Sequence, residues 1–272
     1  MLIYCDAYSS QSRMKIQKIL YLISLFLLSV TVDSLFSQAN EDYALIISPE
    51  KLYYETAKEL YDERRYEEAI KYFELAASSD KAFGEDRKLN LAYDYIGLGN
   101  CCRVLSRFST ALEYYQQALA LFRTLEKRDW EVITLGAIGD IYNSLSQFDR
   151  ARKSFENALS IDNATENKLV GVSILIGLGN SSFYTGQYKE AKKYYQKALD
   201  NSEKFGIQDE IPSLLNNLGS VHYTLGQYES SLDYYKRALS KNEELGNDFE
   251  AAKNLGNIEE FALLLNAVAA MI

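Results

Sequence analysis

The side chains best suited to metal or nucleophile chemistry are few: Cys5, Cys101, Cys102 and a single histidine, His222. A zinc site takes about four such ligands, and no C-x-x-C spacing occurs, so no metal site is expected. Cys101 and Cys102 are adjacent, and vicinal cysteines in a helix cannot bridge without distorting the backbone; they read as small core thiols. His222 falls in a register held elsewhere by Cys102, Tyr142 and Ser182, which makes it a packing residue. Carboxylates are numerous, 38 Asp+Glu against 29 Lys+Arg, and are expected on solvated helical faces and in loops. There is no glycine-rich phosphate loop, nucleophile elbow or metal-ligand spacing. Neither catalysis nor a cofactor is expected, and no small-molecule substrate. Asn163-Ala-Thr165 and Asn180-Ser-Ser182 match glycosylation sequons, a pattern that arises easily by chance, and Asn180 lies inside a predicted helix.

The elements that would position these residues are helical. Among 272 residues there are two prolines and 22 tyrosines, and 47% are hydrophobic, a composition that can bury a sizeable core with few strand or turn punctuators. The net charge of −9 is spread along the chain; an acidic surface repels phosphate backbones, so no nucleic-acid partner is expected.

The first forty residues differ from the rest. Lys15 and Lys18 follow Met14, the uncharged apolar run Ile19–Val32 comes next, and small residues stand at Ser37 and Ala39. A basic start, a short apolar stretch and a small-residue junction match a secretory signal peptide. Residues 1–39 are therefore expected to be a signal peptide cut after Ala39, with translation starting at Met14, and 40–49 a linker. The expected location is the periplasm or envelope of a bacterium. A retained membrane anchor is the alternative, although a spanning helix wants about 20 apolar residues.

From residue 50 onward the chain repeats. Gly99, Gly139, Gly179 and Gly219 recur every forty residues. Each is followed at +9 by an aromatic (Phe108, Phe148, Tyr188, Tyr228), at +12 by a small residue (Ala111, Ala151, Ala191, Ser231), at +16 by an aromatic (Tyr115, Phe155, Tyr195, Tyr235) and at +19 by alanine (Ala118, Ala158, Ala198, Ala238). An earlier copy runs Ala57, Tyr66, Ala69, Phe73, Ala76. The later four positions of each copy share one helical face. The preceding Leu-Gly or Ile-Gly pairs place glycine inside a helix, at a cost of roughly 1 kcal/mol against alanine; close approach of a partner helix is the expected reason. Short turns between the two faces (Leu105-Ser-Arg107, Thr185-Gly-Gln187 and their counterparts) make each unit a helix A, a tight turn and a helix B. Gly84, Gly206, Pro212 and Gly246-Asn247 break the chain between units, and Pro49 opens the first helix after Ser48.

This arrangement resembles the tetratricopeptide repeat, in its longer forty-residue variety, over about residues 50–257. Tyr53, Tyr95, Leu135, Leu175 and Leu215 stand where the family carries tryptophan, and its closing proline is absent. The resemblance implies an all-α, right-handed superhelical solenoid over residues 50–258, with five complete repeats and the start of a sixth at Asn254-Leu-Gly-Asn-Ile258. It also implies a concave groove lined by the A helices, here Asn100, Arg103, Asp140, Asn143, Asn180, Phe183, Tyr184, Asn216, Ser220 and Tyr223, with Val104, Ser144 and Thr224 beside them. That set is rich in amides and aromatics, suited to an extended peptide; the alternative is a merely solvated face. Its one cation, Arg103, does not fit a clamp for an acidic C-terminal tail.

Residues 259–272 leave the pattern and are almost entirely apolar, an unusual closing helix or the mark of a longer parent. The expected function is an exported scaffold for a protein or peptide, with the sensory portion of a larger signalling protein as the alternative and a periplasmic chaperone role as a third.

Overall fold

In a computed structural model the described residues are 49–161 and 168–269, with side chains described for 51–161 and 168–259. Among them are eleven α-helices and no strand: α1 (Pro49–Asp62), α2 (Tyr66–Ala82), α3 (Lys88–Val104), α4 (Phe108–Thr124), α5 (Arg128–Ser144), α6 (Phe148–Leu159), α7 (Lys168–Tyr184), α8 (Tyr188–Phe205), α9 (Ile211–Thr224), α10 (Tyr228–Glu244) and α11 (Asp248–Ala269). They form five helix pairs stacked in sequence, each helix packing on its chain neighbours, with α1 also meeting α3 and α5 meeting α7. The signal peptide, the linker before Pro49, Ser48 and the Asn163 sequon lie outside the described residues.

The A–B turn is built the same way five times. Each A helix ends five residues after its register residue, and the residue two further on is left-handed: Arg64, Ser106, Ser146, Gly186 and Gly226, with φ between 57° and 74°. The next backbone N–H then bonds back across the turn, as Arg107 to the Cys102 carbonyl at 2.8 Å and Gln187 to the Ser182 carbonyl at 2.8 Å. This closes the last turn of helix A and satisfies a carbonyl that would otherwise lack a partner. The carbonyl of that same residue accepts the N–H of Ala111 or Ala191, which starts helix B.

The register glycines are explained by rings rather than by backbone contact. A β-carbon added at Gly139 would stand 2.6 Å from Phe155 Cε1, and one at Gly219 2.6 Å from Tyr235 Cε1; Gly99 and Gly179 meet Tyr115 and Tyr195 in the same way. The expected close approach is thus that of a helix B aromatic ring packed against helix A. Phe155 serves two repeats, because a β-carbon at Gly177 would also overlap its ring. Tyr115, Phe122 and Phe155 are among the largest fully buried side chains, and the alanines flanking these aromatics (Ala111, Ala118, Ala151, Ala158) have no exposed surface. Ser231, small but polar in that register, donates its hydroxyl to the Gly219 carbonyl at 2.9 Å.

One expectation about the carboxylates is corrected. Asp80 and Asp94 are not solvated: they are 3% and 1% exposed, between α2 and α3. The helical spacing of Asp94, inside Leu91-Ala92-x-Asp94, turns it inward with the apolar residues. The vicinal cysteines are free and buried, as read from the sequence.

Candidate functional site

The wall formed by successive A helices is organised by the residue that follows each register position. These are Lys58, Asn100, Asp140, Asn180 and Ser220, and the helix B aromatics fifteen residues later are Phe73, Tyr115, Phe155, Tyr195 and Tyr235. Wherever the aromatic is tyrosine, its hydroxyl reaches the groove-side residue. Tyr115 donates to Asn100 Oδ1 at 2.6 Å, Tyr195 donates to Asn180 Oδ1 at 2.7 Å, and the Tyr235 and Ser220 hydroxyls stand 3.1 Å apart. Wherever it is phenylalanine, the wall residue is charged instead: exposed Lys58 and Asp140. Burial raises the Tyr115 hydroxyl to about 12 and also raises Tyr195, so both stay protonated donors at ordinary pH. Each bond fixes the orientation of its amide. Oδ1 is occupied, and the Nδ2 amino group is left without a protein acceptor among the described residues.

The expected asparagines divide into two kinds. Asn143 is already committed: it donates Nδ2 to the Gly177 carbonyl at 3.1 Å and accepts from the Ser181 hydroxyl at 2.8 Å, tying α5 to α7. Asn216 is committed as well, its Oδ1 accepting from Asn254 and Asn257, both at 3.0 Å, which ties α9 to α11. Asn254 also accepts from Asn242 at 2.8 Å. These two residues join repeats.

Between Asn100 and Asn180 lie the charged groups. Arg103 is exposed, and its guanidinium lies by the hydroxyls of Tyr61 and Tyr115, which it pulls down against the upward push of burial. Asp140 keeps solvent contact, yet the protein crowded around it displaces enough water to push its carboxyl up to about 6, an effect that Arg103 offsets in part. Toward the later repeats the wall becomes aromatic. Tyr184 is 67% exposed and stacks on Phe148 of the preceding repeat at 5.2 Å. Half-buried Phe183 meets Tyr188 edge-on at 5.5 Å, and Tyr223 meets Tyr228 at 5.8 Å.

The sequence reading took Tyr115, Tyr195 and Tyr235 as packing alone and omitted Tyr61 and Ser181. The missed signal was the pairing of tyrosine with a neutral polar residue, and of phenylalanine with a charged one, fifteen residues apart. Elsewhere, His222 is 5% exposed against the Tyr234 ring. Burial lowers its pKa, so it sits as a neutral packing group. Among the described residues no group of three His, Cys, Asp or Glu could hold a metal ion, and no helix is long and apolar enough to cross a membrane.

The tetratricopeptide repeat family model matches residues 57–124, 97–164, 130–204 and 171–244. The structure of apo RapI is similar, with a TM-score of 0.70 and 17% identity, covering 75% of this chain and 74% of that one. A Rap protein complexed with Competence and Sporulation Factor gives a TM-score of 0.63 at 17% identity, covering 80% of this chain and 64% of that one. Aspartyl phosphate phosphatase F from Bacillus subtilis gives 0.66 at 18% identity, covering 80% of this chain and 60% of that one. At these identities the likeness is one of fold. No curated protein sequence matches the chain significantly.

Proposed function

Because the chain belongs to the tetratricopeptide repeat family, we propose that it is a non-catalytic interaction scaffold holding an extended segment of a protein partner along the wall of its A helices. The observation that carries this reading is the division of labour on that wall. Asn100 and Asn180 are fixed by tyrosine hydroxyls, while Arg103, Asp140, Tyr184 and Tyr223 remain exposed beside them.

The chemistry suits a peptide backbone. An amide whose oxygen is already bonded offers only its N–H donors, and these match peptide carbonyls without reading side chains. Arg103 and Asp140 offer one cation and one anion between the two amides, so a segment carrying both signs is favoured over a uniformly acidic one. Tyr184 and Tyr223 add flat contact area with few rotatable bonds. A protein of the same fold is solved in complex with Competence and Sporulation Factor, which supports a binding role for the fold.

The experiment selects peptides from a displayed library on the full chain and measures the winners by calorimetry. Arg103→Glu and Tyr184→Ala are each expected to weaken binding about tenfold or more, roughly 1.4 kcal/mol. Lys197→Glu, an exposed change on α8, is expected to leave it unchanged. Peptides that bind all three variants equally would overturn the groove assignment.

We also propose that the chain works outside the cytoplasm, a reading supported by the basic, apolar and small-residue order of residues 14–39. Mass spectrometry of the protein recovered from cells should find an N-terminus near Asn40. A cytosolic protein with its N-terminus intact contradicts export.

A further inference from the structure

Two kinds of repeat alternate along the first four, and the alternation sets where the wall can hold a partner. In the first and third repeats the helix B aromatic is phenylalanine, and its ring reaches the next A helix. A β-carbon at Gly97 would overlap Phe73, and one at Gly177 would overlap Phe155. In the second and fourth repeats it is tyrosine, tied by its hydroxyl to its own A helix through Asn100 or Asn180. The register that holds Gly97 and Gly177 after the phenylalanines holds Ala137 and Asn217 after the tyrosines. The A helices pack accordingly: α1 meets α3 and α5 meets α7, whereas α3 with α5 and α7 with α9 touch at most marginally.

At the closed seam between α5 and α7 the polar groups are spent on the fold. Asn143 bonds the Gly177 carbonyl and the Ser181 hydroxyl, and Ser181 is itself buried. On either side of this seam stands an asparagine aimed by a tyrosine, and the two have different company. Asn100 shares its surroundings with Arg103 and Asp140; the guanidinium is near enough to act on both the Tyr115 hydroxyl and the Asp140 carboxyl. Asn180 shares its surroundings with Tyr184, whose exposed ring stands near enough to Tyr195 for their hydroxyls to interact. The first place offers charge of both signs, the second an aromatic face.

We propose that the wall grips its partner at two points, two repeats apart, and lets the segment between them cross the α5–α7 seam unread. This rests on the groove reading above and deepens it by naming what the partner carries. The point at Arg103 and Asp140 takes an acidic and a basic side chain, one for each. The point at Tyr184 takes an aromatic side chain against the exposed ring. At each, the asparagine Nδ2 donates to a backbone carbonyl. Between the two points residues matter only for reach. The partner is thus an unfolded segment with a charged end and an aromatic end, and the spacer converts two weak contacts into one stronger attachment.

The test uses the full chain and displayed random peptides of about 16 residues. At about 3.3 Å per residue these outreach the two helix spacings, roughly 10 Å each, from α3 to α7. An alanine scan of the selected peptides should find two groups of positions that each cost about tenfold or more, separated by a tolerant stretch. Arg103→Glu should cancel the cost of alanine in the charged group and leave that in the aromatic group; Tyr184→Ala should do the reverse. Inserting Gly-Ser-Gly into the tolerant stretch should weaken binding less than about tenfold; a larger loss means that the middle is read, and overturns the proposal. Sensitivity spread evenly along the peptide, or both variants cancelling the same positions, also overturns it and leaves the groove reading standing. Selected peptides indifferent to both variants, or a library that yields none, overturn the groove reading and this inference together. The scan on the unaltered chain needs neither variant, so it decides between two points and one continuous contact by itself.

Discussion

Asp94 shows how much one residue can matter in a repeat array. Its two carboxyl oxygens are buried and accept no hydrogen bond, and its charged neighbour is Asp80, itself held by Arg87 at 3.4 Å. Two buried carboxylates in contact cannot both ionise cheaply. Asp94 keeps its proton, its pKa pushed up to about 8 first by loss of water and then by Asp80. The sign for stability follows from linkage. Below about pH 4 the carboxyl is protonated in both folded and unfolded chains. As pH rises, the unfolded chain loses the proton while the folded chain keeps it, so stability falls until about pH 8, where the folded carboxyl also ionises and the decline levels off. Asp94→Asn removes the titratable carboxyl and leaves an uncharged amide facing Asp80. It should flatten this dependence and raise Tm by several degrees at pH 8 relative to wild type, while changing it little at pH 4. Melting curves across that range check this, and parallel curves for both proteins would refute it. Tyr195→Phe tests the groove at the same scale. Phenylalanine already fills this register at Phe73 and Phe155, so the fold should survive, at a cost of about 1 kcal/mol for the lost hydrogen bond. Peptide affinity should fall as the Asn180 amide becomes free to turn over, as calorimetry would show.

At the scale of the helix, what could be read from sequence was whatever repeats. Gly99, Gly139, Gly179 and Gly219 recur at a fixed period, and packing that recurs leaves the same residues each time; five helix pairs and their faces were legible for that reason. The cause of the glycines was not, because a ring resting on helix A and a backbone crossing close to it demand the same residue. The site was legible only in part. Asn143 and Asn180 look alike in a sequence, yet one is consumed by Gly177 and Ser181 on the next A helix while the other is aimed by Tyr195. Helix α5 offers a direct test of the ring explanation, because it holds two glycines three residues apart. A β-carbon at Gly139 would strike the Phe155 ring, whereas one at Gly136 meets only Ile174 Cγ1, at an ordinary 3.8 Å. Gly139→Ala should therefore cost about 1–3 kcal/mol through overpacking. Gly136→Ala should gain about 0.5–1 kcal/mol from helix propensity. Denaturant titration of both variants reads the opposite signs, and a gain at Gly139 would mean that the ring can move aside.

Across the whole molecule, a stack of repeats is held together only by neighbour contacts, so its weakest joint decides where it opens. The first repeat has a neighbour on one side among the described residues, and α1–α2 meets the rest through α3. That joint is also where Asp80 and Asp94 face one another, both buried. The middle repeats have no such defect: Phe155 is shared by two of them, and Asn143 crosses from α5 to α7. Raising the pH from about 6 to about 8 should therefore loosen one end of the array and spare its centre. Hydrogen exchange, corrected for the intrinsic effect of pH, should show amides of α1 and α2 losing protection over that interval while those of α5 to α8 hold theirs. In Asp94→Asn the two regions should respond alike, because the charge that drives α2 from α3 is gone. Uniform loss of protection in wild type would place the pH response outside this joint. An unchanged gradient in Asp94→Asn would instead assign the loosening to a cause other than this carboxylate pair.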